Sequence, residues 1–431
     1  MERKINSIGH LEIGEMDSVA LAETYGTPLY VLDLDYVEMQ INKFKTAFSS
    51  EKFETRVLYA SKSFLCKGIC QFLKNRGMSL DVVSGGELYT ALQADFPRER
   101  ICFHGNNKTD RELIEALEAG VGLIVVDNSL EYERLKVIAR RRGQRVNVLL
   151  RVNPGIDAHT HEYIQTAKHD SKFGESIFAE STMKLIESMS NDDFVNLRGF
   201  HCHIGSQIFE GTSFEKAAEA MIEYVCEVRL KTGFEATHLN LGGGFGIYYA
   251  EGDKPLEIET TIPRMVESVE RTIEEKGLNL EVLMIEPGRS LVANAGTTLY
   301  TVGGTKKTYG GKKYVFVDGG MTDNPRPALY QAVYEGIIAN RANEEASDIV
   351  TVAGKCCESG DILIKDGRFA RAERGDILAV FGTGAYNYSM ASRYNRHGIP
   401  AVVGIKNGKS QLLVKRESYE DLTRLDQEFE E

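Results

Sequence analysis

Between residues 56 and 285, short apolar runs alternate with segments that have the apolar period of a helix. Such an alternation is typical of parallel strands that are buried on both faces and connected by helices. Eight units of this kind predict a closed, TIM-like (β/α)8 barrel of the α/β class. The eight apolar runs are residues 56–60, 79–83, 101–103, 123–126, 146–152, 197–203, 237–241 and 281–285.

The helical segments between these runs have recognisable ends. Thr109 and Glu112 have the spacing of a capping box, in which each side chain bonds the backbone N–H of the other residue. Gly120 suits the left-handed conformation that ends many helices. A second helix is predicted over residues 129–142, with Gly143 as its end.

After residue 286 the pattern changes to strands separated by Gly-rich turns, with few helical stretches. Runs of this kind predict a C-terminal all-β domain, a sandwich or a barrel. Residues 28–32 also have the pattern of a strand, which is expected to pair with that domain. The predicted division is therefore an N-terminal segment (1–34), a barrel (35–285) and a β domain (286–431). The apolar runs of the β domain are residues 313–317, 348–352, 376–381 and 401–405.

Composition excludes several classes of protein. The net charge is −12, and no run supplies the basic face that a sequence-independent nucleic-acid binder needs. No stretch approaches 18 consecutive apolar residues, and residues 1–14 lack the apolar core of a secretion signal. The seven cysteines include no CxxC pair, so zinc-type spacing is absent. We therefore expect a cytoplasmic protein with reduced thiols that binds neither nucleic acid nor membrane.

Unusual polar or Gly-rich motifs follow most of the eight predicted strands. In a (β/α)8 barrel the active site lies at these strand ends, in the loops that lead into the helices. Surface loops would not collect such groups at the same end of successive strands by chance. The motifs are Ser61-Lys62-Ser63, Asp81 with Ser84-Gly85-Gly86-Glu87, His104, Arg151 with Asn153, residues 201–207 (HCHIGSQ), residues 242–246 (GGGFG) and Glu286-Pro287-Gly288-Arg289.

Each motif also has an ordinary structural explanation. Lys62 alone is typical of a solvated lysine, His203 of a core histidine, and a run of glycines of a tight turn. Together they form the set that a pyridoxal cofactor requires: an amine for a Schiff base, a phosphate cradle beside a helix N-terminus, a flat group, and a carboxylate for the ring nitrogen. Glu286 is the candidate carboxylate.

The connection over residues 153–177 is unusually long for a barrel, which suggests a functional lid at the catalytic end. Its histidines lack helical spacing and ordered acidic neighbours, so we expect no metal. The basic residues of this connection are His159, His161, Lys168, His169 and Lys172.

From about residue 27 to 395 the sequence resembles the fold-type III pyridoxal-phosphate decarboxylases, and among them the diaminopimelate decarboxylases. The resemblance implies an alanine-racemase-like barrel and a carboxy-lyase that converts meso-2,6-diaminopimelate to L-lysine and CO2, the last step of lysine biosynthesis. The motifs that carry it are YASKSF (59–64), HCHIGSQI (201–208), LGGGFGI (241–247), EPGRS (286–290), NPRPALY (324–330), CESGD (357–361) and GAYNYSMASRYN (384–395).

The resemblance implies pyridoxal 5'-phosphate as the cofactor. Lys62 is expected to link to its aldehyde, His203 to stack on its ring, and Glu286 to keep the ring nitrogen protonated. The residues expected to bind the cofactor are Lys62, Asp81, His203, Ser206, Gly243, Gly244, Glu286, Pro287, Gly288, Arg289 and Tyr386.

The resemblance also implies how the substrate is bound and protonated. Cys357 is expected to be the proton donor, rather than the adjacent Cys356, because it directly precedes the Glu-Ser-Gly-Asp motif. The Cys-Glu pair is expected to reach the site from the partner subunit, which implies a homodimer with shared active sites. The residues expected to bind substrate are Arg289, Arg326, Tyr330, Glu358 and Tyr386.

Three alternatives differ from this interpretation in their residues. A sister decarboxylase of ornithine, lysine or arginine would take a substrate without a distal carboxylate, which Arg326 with Tyr330 disfavours. A racemase on the same barrel would place a basic residue, not Glu286, near the ring nitrogen. A non-catalytic regulator would be expected to have lost Lys62 or Cys357, and both are present.

Overall fold

The computed structural model describes residues 4–156 and 171–430. The chain forms two compact units. The barrel unit comprises Gln40–Ile247 and Lys254–Ser290. The sheet unit comprises the N-terminal part of the chain up to Met39, Tyr248–Asp253, and the chain from Leu291 onward.

The N-terminal elements begin with a small antiparallel hairpin and a capped helix. The Asp17 carboxylate accepts hydrogen bonds from the backbone N–H groups of Val19 and Ala20, which satisfies two donors at the start of the helix. The elements are β1 (Glu12–Ile13), β2 (Met16–Asp17), α1 (Ser18–Tyr25), β3 (Leu29–Asp33) and α2 (Leu34–Ala47).

The barrel unit contains the eight predicted parallel strands in chain order. Each pairs with the next in parallel, and β12 pairs with β4, so the sheet closes on itself. A two-residue strand, β9, pairs with the end of β8. The strands are β4 (Glu54–Ala60), β5 (Ser79–Val82), β6 (Ile101–Phe103), β7 (Leu123–Val126), β8 (Val146–Asn153), β9 (Glu175–Ser176), β10 (Val195–His201), β11 (His238–Asn240) and β12 (Val282–Ile285).

Helices follow the barrel strands, so the predicted (β/α)8 barrel is confirmed. The predicted capping box of α5 is present at Thr109 and Glu112, and Gly120 ends this helix with a left-handed φ of 70°. The predicted second helix is α6, which ends at Gly143. The helices are α3 (Lys67–Lys74), α4 (Gly85–Leu92), α5 (Asp110–Ala119), α6 (Ser129–Arg142), α7 (Glu180–Ser190), α8 (Gly211–Thr232), α9 (Ile258–Lys276) and α10 (Arg289–Val292).

Apolar side chains from several barrel strands pack against one another in a buried cluster. The cluster combines residues of β4, β6, β7, β8 and β12, and all of its members are buried. They are Leu58, Cys102, Leu123, Val125, Leu149, Val282 and Met284.

The sheet unit confirms the predicted all-β C-terminal domain. Its sheet has the order β17-β16-β14-β13-β3-β19-β20, and β18 pairs with both β13 and β15. β3 pairs antiparallel with β13 and parallel with β19. The remaining elements are β13 (Gly296–Lys307), β14 (Lys313–Val317), α11 (Arg326–Tyr330), β15 (Gly336–Ile338), β16 (Asp348–Ala353), β17 (Ile362–Phe369), β18 (Ile377–Phe381), β19 (Ala401–Lys406), β20 (Lys409–Val414) and α12 (Tyr419–Thr423).

None of the helices in the described part of the chain combines the length and the apolar character that crossing a bilayer requires.

Candidate active site

Lys62 lies in a single turn of 3-10 helix, Ser61–Ser63, directly after β4. Its side chain is exposed. Burial raises the pKa values of Asp81 and Glu87 and lowers the pKa of His203, and the charge of Lys62 is a smaller effect on all three groups. These groups stand at or after the ends of β5 and β10, where the sequence predicted the site. The amine therefore lies within electrostatic range of the other strand-end motifs.

Glu286 follows β12 and is buried, with contacts from three other strand ends. Asn240 Nδ2 donates to its Oε1 over 2.7 Å, and His201 Nε2 lies 3.2 Å from its Oε2. His104 Nε2 lies 2.9 Å from Oε1. The carboxylate is therefore fixed from several sides rather than free to rotate.

These neighbours also set the charge of Glu286. Burial alone would raise its pKa, but the charge of the adjacent His104 and the hydrogen bond with His201 hold the pKa of Glu286 well below its usual value. Burial lowers the pKa of His201 to about 4, so this imidazole is neutral at physiological pH. Glu286 is therefore an ionised carboxylate in a buried pocket.

His104 stands between Glu286 and Asp81, whose Oδ1 lies 3.8 Å from His104 Nε2. Burial would lower the pKa of His104, but the charges of Asp81 and Glu286 raise it well above its usual value. The ligand atoms of His104, His201 and Glu286 lie within 4.8 Å of one another, a spacing that a metal ion can use. A metal would have to displace the proton of His104, so the cluster is better described as a charge network.

The triple glycine after β11 packs against two neighbouring loops at distances that only glycine permits. A Cβ on Gly243 would lie 2.1 Å from the carbonyl oxygen of Glu286. A Cβ on Gly244, whose φ is +109°, would lie 2.2 Å from the carbonyl oxygen of Gly205. The expected helix N-terminus does not follow this turn, because α9 begins only at Ile258. The helix that starts in the contacted loop is the short α10.

His203 is partly exposed and is oriented by the same turn. The backbone N–H of Gly243 donates to His203 Nδ1 over 3.1 Å, so this nitrogen carries no proton. Burial and the charges of Lys62 and Arg151 lower the pKa of His203 well below its usual value. The ring is therefore a neutral, flat imidazole held beside the triple glycine.

The loop that carries Glu286 also contacts the turn of Lys62. The backbone N–H of Ala60 donates to the Pro287 carbonyl over 3.3 Å, and a Cβ on Gly288 would lie 2.3 Å from Ser63 Oγ. At the other end of this loop, Arg289 Nη2 donates to Ser206 Oγ over 3.3 Å. Lys62, the triple glycine, Ser206 and Glu286 thus lie on adjoining loops at one end of the barrel.

In the sheet unit, the buried Arg326 opens α11 and faces three aromatic rings. Its guanidinium carbon lies 5.5, 5.6 and 5.8 Å from the ring centroids of Tyr249, Tyr330 and Tyr386. Its Nε makes no hydrogen bond to any described residue. Tyr386 has a φ of +59°, which is rare outside glycine and Asn. This part of the sheet unit therefore offers a buried cation with unused hydrogen-bonding capacity.

The two adjacent cysteines differ in their surroundings. Cys356 is buried, its backbone N–H donates to Asp361 Oδ2, and burial raises the pKa of its thiol to about 11. Cys357 and Glu358 are exposed, and the backbone N–H of Cys357 donates to Asn395 Oδ1 over 2.8 Å. Of the two thiols, that of Cys357 is the accessible one.

Some functional groups were missed or lie outside the described residues. Asn240 was not assigned, although a polar residue that ends an apolar strand beside a glycine run is a usable signal. His104 was noted for its position but given no role, and its contacts with Asp81 and Glu286 appear only in the structure. The lid interpretation remains a prediction, because His159, His161, Lys168 and His169 lie outside the described residues.

Comparison with known proteins gives a consistent result. The family model described as pyridoxal-dependent decarboxylase, pyridoxal binding domain, matches residues 34–293. The diaminopimelate decarboxylase of Bacillus subtilis is 51% identical over 98% of this chain and 97% of its own length. That of Staphylococcus aureus is 44% identical over 98% of this chain and 99% of its own.

Solved structures agree with these relatives. The crystal structure of diaminopimelate decarboxylase from M. jannaschii in co-complex with L-lysine has a TM-score of 0.91 and 34% identity, covering 98% of this chain and 97% of that one. The Helicobacter pylori diaminopimelate decarboxylase complexed with L-lysine has a TM-score of 0.86 and 30% identity, covering 95% and 99%. Family model, relatives and structures all match most of this chain. The chain therefore belongs to the diaminopimelate decarboxylase family of the pyridoxal-dependent decarboxylases.

Proposed function

We propose that this chain is a carboxy-lyase that converts meso-2,6-diaminopimelate to L-lysine and CO2, the last step of lysine biosynthesis. The observation that carries the proposal is the assembly of an amine, a glycine cradle and an ionised carboxylate on adjoining strand-end loops. Two relatives that match this chain over 97% and 99% of their own length are diaminopimelate decarboxylases.

The residues of the barrel unit fit pyridoxal phosphate. Gly243 and Gly244 form a turn in which a side chain would collide with neighbouring carbonyls, as expected where backbone must approach a phosphate. Glu286 is buried and ionised, which suits a protonated ring nitrogen. Asp81 Oδ1 is buried and accepts no hydrogen bond from the described residues, so acceptor capacity remains in this pocket.

The cofactor-binding roles follow from these positions. Lys62 would link to the aldehyde, and the neutral ring of His203 would lie against the cofactor ring. Glu286 would pair with the ring nitrogen, and Asp81 lies in the same pocket. The residues that would hold the phosphate are Ser206, Gly243, Gly244, Pro287, Gly288, Arg289 and Tyr386.

When bound, the cofactor supplies an aldehyde that links to amines and a ring that withdraws electrons from the bond to be broken. Glu286 contributes by remaining ionised, because His104 and Asn240 stabilise its charge. Cys357 would deliver a proton to the substrate Cα as a general acid. Its exposure in the sheet unit allows it to reach a substrate, whereas Cys356 is buried.

Selectivity would come from the far end of the substrate, which carries both an ammonium and a carboxylate. Arg326 offers a buried guanidinium whose Nε lacks a hydrogen-bond partner among the described residues, as a carboxylate site requires. Tyr330, Tyr386 and Arg289 would complete the carboxylate contacts, and Glu358 would contact the ammonium. A substrate that lacks the distal carboxylate would leave Arg326 buried and unpaired, which disfavours it.

The exposure of Cys357 and Glu358 supports a second part of the proposal, a homodimer in which each subunit contributes this loop to its partner's site. We further propose that the enzyme acts in the cytoplasm, where a biosynthetic enzyme with seven free cysteines would keep them reduced.

The direct test is purified protein with pyridoxal phosphate, supplied separately with meso-diaminopimelate, ornithine, lysine and arginine. We expect CO2 and L-lysine from diaminopimelate and at least about tenfold slower CO2 release from the other three. Faster CO2 release from ornithine, lysine or arginine would establish a sister decarboxylase instead. Inversion of an amino acid without CO2 would establish a racemase, and no reaction at all would favour a regulator.

A further inference from the structure

The pocket around Glu286 contains two buried carboxylates with one histidine between them. Asp81 stands on β5 and Glu286 follows β12, and both side chains are nearly inaccessible. His104, after β6, lies 2.9 Å from a Glu286 oxygen and 3.8 Å from an Asp81 oxygen. Two ionised carboxylates that contact the same histidine in a buried site repel each other unless a cation lies between them.

We propose that His104 is a positioning residue that acts through Glu286: its imidazolium, shared with Asp81, leaves the pocket with one net negative charge for the cofactor ring nitrogen. The inference rests on the proposed function, since it concerns how that cofactor is held. Two carboxylates and one imidazolium sum to a single negative charge, which one protonated ring nitrogen neutralises.

Glu87, which follows β5, has its pKa raised by burial to about 7, so it titrates within the tested range in wild type and variant alike. The remaining groups that face this pocket do not change the count. His201, from β10, packs edge-to-face on His104 with ring centroids 4.9 Å apart and is neutral. Cys102, from β6, is also neutral, because burial raises the pKa of its thiol. Arg151, from β8, is positively charged, and Asp127 is the acid whose charge acts most strongly on its pKa. Lys62 is the residue assigned to the cofactor aldehyde.

The loop that carries His104 is anchored, so the imidazole is held in place. The backbone N–H of His104 donates to the Val82 carbonyl over 2.7 Å. Farther along the loop, the buried amine of Lys108 donates to the carbonyls of Gly105 and Val125 and to Glu131, at 2.7 to 2.8 Å. These bonds tie the loop to β5, β7 and α6.

The contacts of Glu286 also indicate which oxygen remains available. Oε1 accepts from Asn240 and contacts His104, whereas among the described residues Oε2 has His201 as its one partner. A carboxylate has about four acceptor positions, so Oε2 keeps the greater free capacity. We therefore expect the ring nitrogen to be held by Oε2.

Removing the charge of His104 has a consequence of definite sign. In His104→Gln the two carboxylates lose their counter-charge, which raises the pKa of one of them toward neutrality. At low pH, one of the two carboxylates is then protonated in the cofactor-free variant, whereas both are ionised in the wild type. The cofactor, with its protonated ring nitrogen, binds better once this carboxylate has lost its proton. The affinity of the variant for pyridoxal phosphate, relative to that of the wild type, therefore increases with pH.

The experiment measures the dissociation constant of pyridoxal phosphate for both proteins between about pH 6 and about pH 9. The ionisations of the free cofactor cancel in the ratio of variant to wild type. We expect this ratio to fall by about tenfold across the range, the effect of a pKa difference of about one unit. A ratio that is constant with pH would mean that His104 only fills space, and would overturn the proposal.

His238→Gln is the matched control, because His238 is a buried histidine at the opposite end of a barrel strand, bonded to Thr237 Oγ1. Burial lowers its pKa to about 4, so its replacement removes no charge. The ratio of its dissociation constant for pyridoxal phosphate to that of the wild type is expected to be independent of pH. A slope equal to that of His104→Gln would also overturn the proposal.

A charge-restoring pair keeps the test decisive if one variant folds poorly. Asp81→Asn alone leaves His104 next to one carboxylate instead of two, which lowers the pKa of His104. The ratio of dissociation constants should then change with pH in the same direction as for His104→Gln. The double variant His104→Gln with Asp81→Asn again has one net negative charge, so its ratio should be flat. A double variant as pH-dependent as the singles would contradict the charge account.

The readout is binding, so the two proposals fail separately. If wild type releases CO2 from diaminopimelate but the ratio is flat, only the role of His104 is wrong. If wild type does not bind pyridoxal phosphate, the proposed function itself is wrong.

Discussion

The two units of the molecule hold their candidate functional groups in different ways. In the barrel unit, Glu286 has contacts from three strand ends and is buried among them. In the sheet unit, Cys357 and Glu358 are exposed on a loop, and Arg326 keeps a buried Nε without a hydrogen-bond partner among the described residues. This difference fits the proposal that residues of the barrel unit hold the cofactor, which stays bound, and that residues of the sheet unit act on the substrate, which is released after each turnover.

The difference follows from how each unit buries polar atoms. A buried charge without partners is costly, so the barrel unit surrounds the Glu286 carboxylate with polar groups that also stabilise the fold. An exposed side chain has no such requirement. We therefore expect substitutions in the barrel network to reduce stability, and substitutions of the exposed sheet-unit groups to reduce activity alone.

The largest effect on activity in the sheet unit is expected for Cys357→Ala. Loss of the general acid should reduce kcat by about 10²- to 10⁴-fold with no change in the free energy of unfolding. Steady-state kinetics and urea unfolding measure the two quantities. Cys356→Ala is the control, since its buried thiol faces Thr322 and should leave kcat within about threefold. A large loss of kcat in Cys356→Ala but not in Cys357→Ala would show that the proton donor is Cys356 instead.

The contrasting barrel substitution is Lys108→Met, which leaves Glu131 buried without its cation. Breaking a buried ion pair on one side should reduce the free energy of unfolding by about 3–5 kcal/mol. Lys184→Met is the control, because both side chains of its pair with Glu180 are exposed and the pair should contribute at most about 1 kcal/mol. If urea unfolding showed the same loss of unfolding free energy in both variants, the proposed difference between buried and exposed ion pairs would be wrong.

A smaller effect is expected for Arg326→Ala. Loss of one charge-assisted carboxylate contact should reduce kcat/KM for meso-diaminopimelate by about 10²-fold, with the affinity for pyridoxal phosphate nearly unchanged. Arg341→Ala is a control in the same unit, because its guanidinium pairs with Glu373 near the surface. If cofactor affinity collapsed and substrate kinetics did not, the assignment of Arg326 to substrate would be wrong.

The comparison also shows what could be predicted from the sequence. The barrel strands were predictable because each is a compact apolar run with a helix signal on either side. The strand β13, Gly296–Lys307, was missed because its two internal glycines and polar end hide the pattern. Its stability comes from pairing with the next strand, β14, and with β3 and β18, which lie far away in the chain.

The candidate site was predictable where position alone carries the signal. Lys62 and Glu286 each directly follow an apolar strand, and the barrel brings such positions together. The contacts of Glu286 were not predictable, because His201 and Asn240 lie 85 and 46 residues away in the chain. Which of several polar strand ends touch depends on side-chain geometry, which periodicity does not encode.

The most direct test of the central claim is the location of the covalent link between protein and cofactor. Holoenzyme reduced with borohydride and mapped by peptide mass spectrometry should carry the pyridoxyl group on Lys62, and Lys62→Ala should lose both this label and the visible absorbance. The nearby, exposed Lys67 serves as the comparison position and should stay unlabelled. A label on any lysine other than Lys62, or an unchanged spectrum and activity in Lys62→Ala, would contradict the account.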